Sequence, residues 1–220
     1  MIKLIFNIYY EILENLKSLF ITPKSGINLT KKRIENTYKL IKNNIKIKKN
    51  SNILLIGEGN NYYLSYLLSL NNNLVISVDK CRDKKVNIGI RNGKIIKLIC
   101  NYPNDILKYS NVYLKFDYVI STAVLEHINN PKKIIKIIDN LLNKNGIFFH
   151  TIDLSLHNLF NNDIRVKKIP KWFWYLITCN SCKPNNYSKI DYLTIYEKYN
   201  YNLKVFNTKL GINIVGIKLT

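Results

Sequence analysis

The sequence predicts an α/β protein: a mostly parallel sheet covered by helices on both faces and closed at its C-terminal end by an antiparallel hairpin. Three observations predict it. Short continuous runs of Ile, Leu and Val alternate with helical patterns between residues 53 and 152, as expected of strands buried on both faces and joined by crossover helices. The first two runs end at Gly57 and Asp79, residue types suited to turns at strand ends. Two late apolar runs, 203–208 and 212–219, are separated only by Lys209-Leu210-Gly211, a hairpin-length link. With 220 residues, 47% of them hydrophobic, the chain can bury a core for one such domain but is short for two.

The elements follow in order. Residues 1–21 are strongly apolar yet carry Lys3, Glu11, Glu14 and Lys17, which makes an amphipathic helix and not a membrane span. Packing on the domain or lidding its pocket is the favoured role, and contact with a membrane surface is the secondary one. Pro23, Ser25 and Gly26 break it. A second helix places Ile34, Tyr38, Ile41 and Ile45 on one face and Lys31, Lys32, Lys39 and Lys42 largely on the other. Residues 1–48 are thus read as a helical segment, and 49–220 as the domain proper.

Within the domain, 53–56 is a strand, 62–70 a helix and 74–78 a second strand. Residues 84–90 are read as a short helix stopped by Asn92-Gly93, followed by strands at 95–100 and 116–121. A helix at 131–142 turns Ile134, Ile135, Ile138 and Leu142 inward, ends at Asn145-Gly146, and leads to a strand at 147–152. Regularity then fades through an insertion near 155–188, rich in Asn, Lys and aromatics, before a helix at 189–199 and the hairpin. The aromatic cluster Trp172–Tyr175 is expected to pack a small core of its own within that cap. The sum is a seven-stranded, three-layer, Rossmann-like sandwich.

The formal net charge is +20. Clustered cations suit nucleic acid, but nearly all are Lys, with Arg only at 33, 82, 91 and 165, and Lys is spread along the whole chain. A solvated basic surface is preferred to a nucleic-acid partner. No secretory leader is read at the start, so the four cysteines (81, 100, 179 and 182) are expected to be thiols in a reducing cytoplasm. Cys179-x-x-Cys182 is half a zinc site without a second half, and no metal is expected.

In open α/β sheets, ligands sit beyond the carboxyl ends of the strands. The chain has only 14 acids, yet Glu58, Asp79, Asp105, Glu126 and Asp153 all fall at or just after expected strand ends. That rim suits a ligand bearing positive charge. Gly57-Glu58-Gly59 lets the backbone turn sharply and approach a ligand, and Asp79, at the next strand end, can accept hydrogen bonds from both hydroxyls of a ribose. Together they point to an adenosine-bearing cofactor. Tyr62, where a dinucleotide fold wants a third small residue, counts against NAD. The three histidines, 127, 150 and 157, cluster around the ends of the fourth and fifth strands, with His150 inside the fifth. Asp153 and His157, four apart at a strand exit, are expected to face the acceptor. His127 is a candidate base with a competing role in packing a helix start, and His150 is expected to be a core residue.

Residues 53–61 resemble the first motif of class I S-adenosylmethionine-dependent methyltransferases, of the type 11 kind. Residues 116–128, Phe-Asp-Tyr-Val-Ile-Ser-Thr-Ala-Val-Leu-Glu-His-Ile, are similar to their fourth, and 131–149 to the helix and strand that follow. His150–His157 and Asn185-Asn186-Tyr187-Ser188 more loosely resemble a subgroup that methylates polysaccharides or small molecules. The resemblance implies S-adenosylmethionine as cofactor. Gly57 and Gly59 would pass under its methionine part, with Glu58 between them; Asp79 would hold the ribose and Lys80 lie beside the adenine. Asn101 or Asp105 would read the adenine amino group, and Ser121 and Thr122 would border the sulfonium. Two positions depart from the family pattern: Leu55 replaces an acid and Asn61 a glycine. The expected activity is methylation, at oxygen, of a small-molecule or sugar-containing acceptor. An RNA methyltransferase and a non-catalytic binding protein of the same fold are the alternatives.

Overall fold

The computed structural model describes residues 26–57, 63–78, 87–91, 94–98, 115–155, 169–177 and 184–219. The amphipathic segment 1–21 and the Cys179-x-x-Cys182 pair lie outside the described residues.

Among the described residues, eight strands form one sheet: β1 (Asn52–Ile56), β2 (Leu74–Val78), β3 (Asn87–Arg91), β4 (Lys94–Leu98), β5 (Phe116–Thr122), β6 (Leu142–Asp153), β7 (Tyr201–Asn207) and β8 (Gly211–Lys218). Their order is β4-β3-β2-β1-β5-β6-β8-β7. The centre is parallel: β2, β1, β5 and β6 run together, with Ile56 beside Val78 on one side and Ser121 on the other. β8 is antiparallel to β6 and forms the closing hairpin with β7.

The eighth strand is β3, which stands where the sequence reading expects a short helix at 84–90. It is antiparallel to β2 and to β4, with Arg91 paired to Lys94 across the intervening Asn92-Gly93. The cause is local. Asn-Gly between two apolar runs is a strong hairpin signal, and here it joins two strands instead of stopping a helix. β4 is consequently one position further from β2 than a parallel neighbour would be.

Two helical layers cover the sheet. On one face Leu54, Ile56, Val119, Phe148 and Ile152 pack against α3 (Pro131–Leu141) and α5 (Lys189–Tyr196). On the other face Ile53, Leu55, Val75, Tyr118, Ile120 and Phe149 pack against α1 (Gly26–Asn44) and α2 (Tyr63–Ser69). Alternate residues of each central strand therefore enter opposite cores, and each layer removes apolar surface worth about 25 cal/mol per Å² from water. Ile41 of α1 and Ile45, just past its end, are buried, with Ile34 and Tyr38 packed beside them, as the helical spacing predicts. α4 (Lys171–Ile177), in the insertion, buries Trp174 completely while leaving Trp172 70% exposed. Leu55, where the family pattern has an acid, is fully buried in the second core.

The strand after α3 starts earlier than expected. Leu142 pairs with Phe116 but Ile147 pairs with Tyr118, so residues 143–146 bulge, with Asn145 at φ +59°. Asp117 ties this bulge to β1. Its carboxylate accepts from the Asn143 amide (2.8 Å) and from the backbone N–H of Asn52 (2.9 Å).

The connections reverse direction at β1: the chain leaves β1 for β2 on one side, and β5 and β6 are laid down on the other. Such a reversal opens a crevice beyond the carboxyl ends of the strands, between the loops that leave β1 and β5.

Candidate functional site

The first wall of the crevice is the bend after β1. Gly57 has φ +80°, a conformation that costs a residue with a Cβ about 1–2 kcal/mol. Its N–H donates to the carbonyl of Val78, 2.7 Å away, so the bend is pinned to the residue that precedes Asp79. A Cβ at position 57 would lie 2.0 Å from Cγ2 of Val124, in the loop after β5. Glycine is thus required both by dihedral and by the approach of a second loop.

The second wall is that loop. Thr122, half-buried, ends β5 beside Thr151 of β6. Ala123 takes φ +55°, rare for a residue with a side chain, and its N–H donates to both the carbonyl (3.0 Å) and the hydroxyl (3.1 Å) of Thr151. A 3₁₀ turn, Leu125–His127, follows; it buries Leu125 and Glu126 and leaves His127 half-buried. Asn130 then caps α3, its side chain accepting from the N–H of Lys133 at 3.1 Å, with Pro131 in the first turn.

Ser121 belongs to the interior and not to the loop. It is fully buried, and Oγ shares a 2.6 Å hydrogen bond with Nδ1 of His150, its partner across β5 and β6. The sequence reading sets Ser121 against the sulfonium; with the hydroxyl engaged by His150, its backbone is what it offers at the strand end. His150 is a core residue, as expected from its place in a strand, but an incompletely satisfied one. Its ring stacks on Phe148 (4.8 Å) and lies 6.0 Å from Tyr196, and Nε2 is buried with no hydrogen-bond partner among the described residues. Burial lowers its pKa to about 3, so the imidazole is neutral at ordinary pH.

The third wall is the exit of β6. Asp153 ends the strand opposite Gly211, where a Cβ would meet the Ile152 carbonyl at 2.0 Å. Its Oδ1 accepts from the N–H (2.8 Å) and hydroxyl (2.6 Å) of Ser155, which orients the half-buried carboxylate. Gly57, Thr122, His127 and Asp153 therefore lie at the carboxyl ends of three adjacent strands, β1, β5 and β6. Glu58, Gly59, Asp79, Lys80, Asn101, Asp105 and His157 lie outside the described residues.

One residue at this edge was not singled out by sequence. Asn185, just before α5, donates through Nδ2 to the carbonyls of Leu125 (3.0 Å) and Ile128 (2.9 Å), and its backbone N–H donates to that of Glu126 (2.5 Å). It appears in the motif 185–188, but in a chain this rich in Asn no local signal marks it.

A family model described as a methyltransferase domain matches residues 31–203. No curated protein matches the chain in sequence. Among solved structures, a Listeria monocytogenes protein described as an S-adenosylmethionine-dependent methyltransferase shares the fold with a TM-score of 0.55 at 11% identity, over 83% of this chain and 98% of that one. A Haloferax volcanii protein, described as a methyltransferase and solved with the activator Trm112, aligns with a TM-score of 0.54 at 11% identity, over 88% and 92% of the two chains. The Pyrococcus horikoshii protein PH0226 aligns with 0.53 at 15% identity, over 87% and 92%.

Proposed function

The chain belongs to the methyltransferase domain family, and from that premise we propose that it moves a methyl group from S-adenosylmethionine to an oxygen of a small-molecule or sugar-containing acceptor. The observation that carries this reading is the Gly57 bend, pinned to Val78 and closed by Val124 at the point where the strand order reverses. A bend without a Cβ at a switch point suits a ligand that runs across two loops, as a nucleoside with an amino-acid tail does.

The cofactor supplies a methyl group on a sulfonium sulfur that departs neutral with the bonding electron pair. Little general chemistry is then left to the protein, and alignment in a dry pocket dominates. Backbone at 57–59 would carry the methionine part and the Asp79 carboxylate would accept from the ribose hydroxyls. Lys80 would lie beside the adenine and Asn101 or Asp105 would read its amino group, with Glu58 between the glycines in sequence. Backbone at Ser121 and Thr122 borders the reacting end. On the acceptor side, Asp153 orients the substrate hydroxyl, and an imidazole nitrogen of His127 or His157 takes its proton as the new bond to oxygen forms. The segment 1–21 as a lid and the insertion near 155–188 as a cap would shape the acceptor side of the pocket; the apolar face of 1–21 also suits peripheral contact with a membrane surface. The protein works in the cytoplasm. Among the described residues, no helix is long and apolar enough to cross a membrane.

Isothermal calorimetry with S-adenosylhomocysteine tests the cofactor claim. Binding by the wild type that Asp79→Ala largely abolishes is the expected result, and no heat from the intact protein would remove the claim.

A second reading, with RNA as acceptor, has one observation in its favour: Lys31, Lys32, Arg33, Lys39 and Lys42 are all exposed on α1. It requires RNA binding that weakens steeply with salt, together with methyl incorporation into the RNA.

A further inference from the structure

The loop that closes on Gly57 is held from behind by a residue that sequence gives no reason to place there. The side-chain amide of Asn185 holds the turn from its nitrogen. Nδ2 donates toward the carbonyls of Leu125 and Ile128 and also lies 3.0 Å from the Tyr192 hydroxyl, while Oδ1 accepts from the N–H of Tyr187 at 3.1 Å and lies 3.4 Å from that same hydroxyl. The backbone N–H takes the intervening carbonyl, that of Glu126. Three carbonyls of one short turn are thus gripped by one residue that is 60 positions away along the chain from Leu125.

The same turn begins at Val124, whose side chain sits where a Cβ of Gly57 would be. His127, the candidate base, is its last residue, and its N–H donates back to the Val124 carbonyl at 2.9 Å. Two attachments of this turn bear on the site: Asn185 ties it to the segment before α5, and Val124 packs where a Cβ of Gly57 would be.

We infer that Asn185 is a positioning residue for methyl transfer: by holding the 125–128 carbonyls it sets Val124 against Gly57 and so couples the segment before α5 to cofactor binding. The inference rests on the functional reading above, and it requires no contact between Asn185 and either ligand. Two discrete attachments of one rigid turn provide the physical route for such coupling, and coupling between binding events is reciprocal.

The test uses S-adenosylhomocysteine affinity, measured by calorimetry on the full chain at a temperature where circular dichroism shows every variant folded. Asn185→Ala should weaken binding by about fivefold or more. Asn185→Asp has the same shape but turns an acceptor toward two carbonyls, so it should weaken binding at least as much; a packing role would leave it near wild type. Tyr192→Phe removes only the hydroxyl that contacts both Nδ2 (3.0 Å) and Oδ1 (3.4 Å) of Asn185, and supplies a milder loss should the alanine variant fail to fold. Tyr201→Phe, which breaks a 2.8 Å bond to Asp139 on the same helical layer, is the control: it should lower thermal stability and leave affinity unchanged. By reciprocity, the cofactor product should slow hydrogen exchange at the Asn185 amide in the wild type. Affinities of the Asn185 variants equal to wild type, with Asn185 exchange indifferent to ligand, would overturn the inference alone. A wild type that binds no cofactor product overturns the functional reading and this inference with it.

Discussion

Cγ2 of Val124 occupies the place where Gly57 would carry a Cβ, 2.0 Å from the position such an atom would take. The loops leaving β1 and β5 are therefore packed to a spacing that only glycine permits. Gly57→Ala meets two separate penalties: the steric one, and a left-handed dihedral worth about 1–2 kcal/mol. Loss of S-adenosylhomocysteine binding together with a lower melting temperature is expected. Adding Val124→Ala should recover part of the stability, because it relieves the contact and not the dihedral. A Gly57→Ala protein that binds and melts like wild type would disprove the packing.

His150 makes stability depend on acid in a defined window. Its folded pKa is about 3 because of burial, whereas the unfolded imidazole titrates near the ordinary value of 6.5. Between those values the unfolded chain holds a proton that the folded one refuses. The contribution is complete above pH 6.5 and drains away as pH falls toward 3, at roughly 1.4 kcal/mol per pH unit. Urea denaturation at pH 7 and pH 4.5, for wild type and His150→Phe, separates this effect from the carboxylates. The wild type should lose more stability over that interval than the variant, by about 2–3 kcal/mol. Parallel losses would contradict it.

Asp117 fastens the start of β1 to the bulge of β6 through Asn52 and Asn143. Asp117→Ala strands both donors and should cost about 1–3 kcal/mol by equilibrium denaturation. The site lies at the opposite end of these strands from Gly57, so cofactor-product affinity should not change.

The capping box at α5, where Ser188 and Asp191 each bond the other's backbone, anchors the helix directly after Asn185. Ser188→Ala should lower stability by about 1 kcal/mol, and Asp191→Ala by a similar amount. Together they should cost less than the sum, since either change opens the box; thermal melts of the double mutant check this.

Most of the architecture was legible because burial on two faces leaves a plain mark. Residues 53–56 and 74–78 are unbroken apolar runs, and the 203–219 hairpin carries its own short link. Where the reading fails, the chemistry is ambiguous at short range. Asn92-Gly93 ends a helix or turns a hairpin equally well, and only pairing of 87–91 with β2 decides it. Gly146 ends no helix either; it lies inside a bulge whose partner, Asp117, is distant in sequence. At the site, Gly57 was legible as a turn glycine from its place after a strand; its pin to Val78 was not, because that bond depends on the pairing of β1 with β2. The burial of Ser121 on His150 was not, because parity along β5 tells which face a side chain takes but not what meets it there. Asn185 was hidden by composition: its role depends entirely on a turn 60 residues away.

Where a nucleoside lies is seen most directly in a crystal structure with S-adenosylhomocysteine bound. The methionine part should rest against backbone at 57–59, with both ribose hydroxyls donating to the Asp79 carboxylate, beyond the ends of β1 and β2. A ligand bound elsewhere on the chain, or an Asp79 carboxylate turned away from the ribose, would contradict that placement.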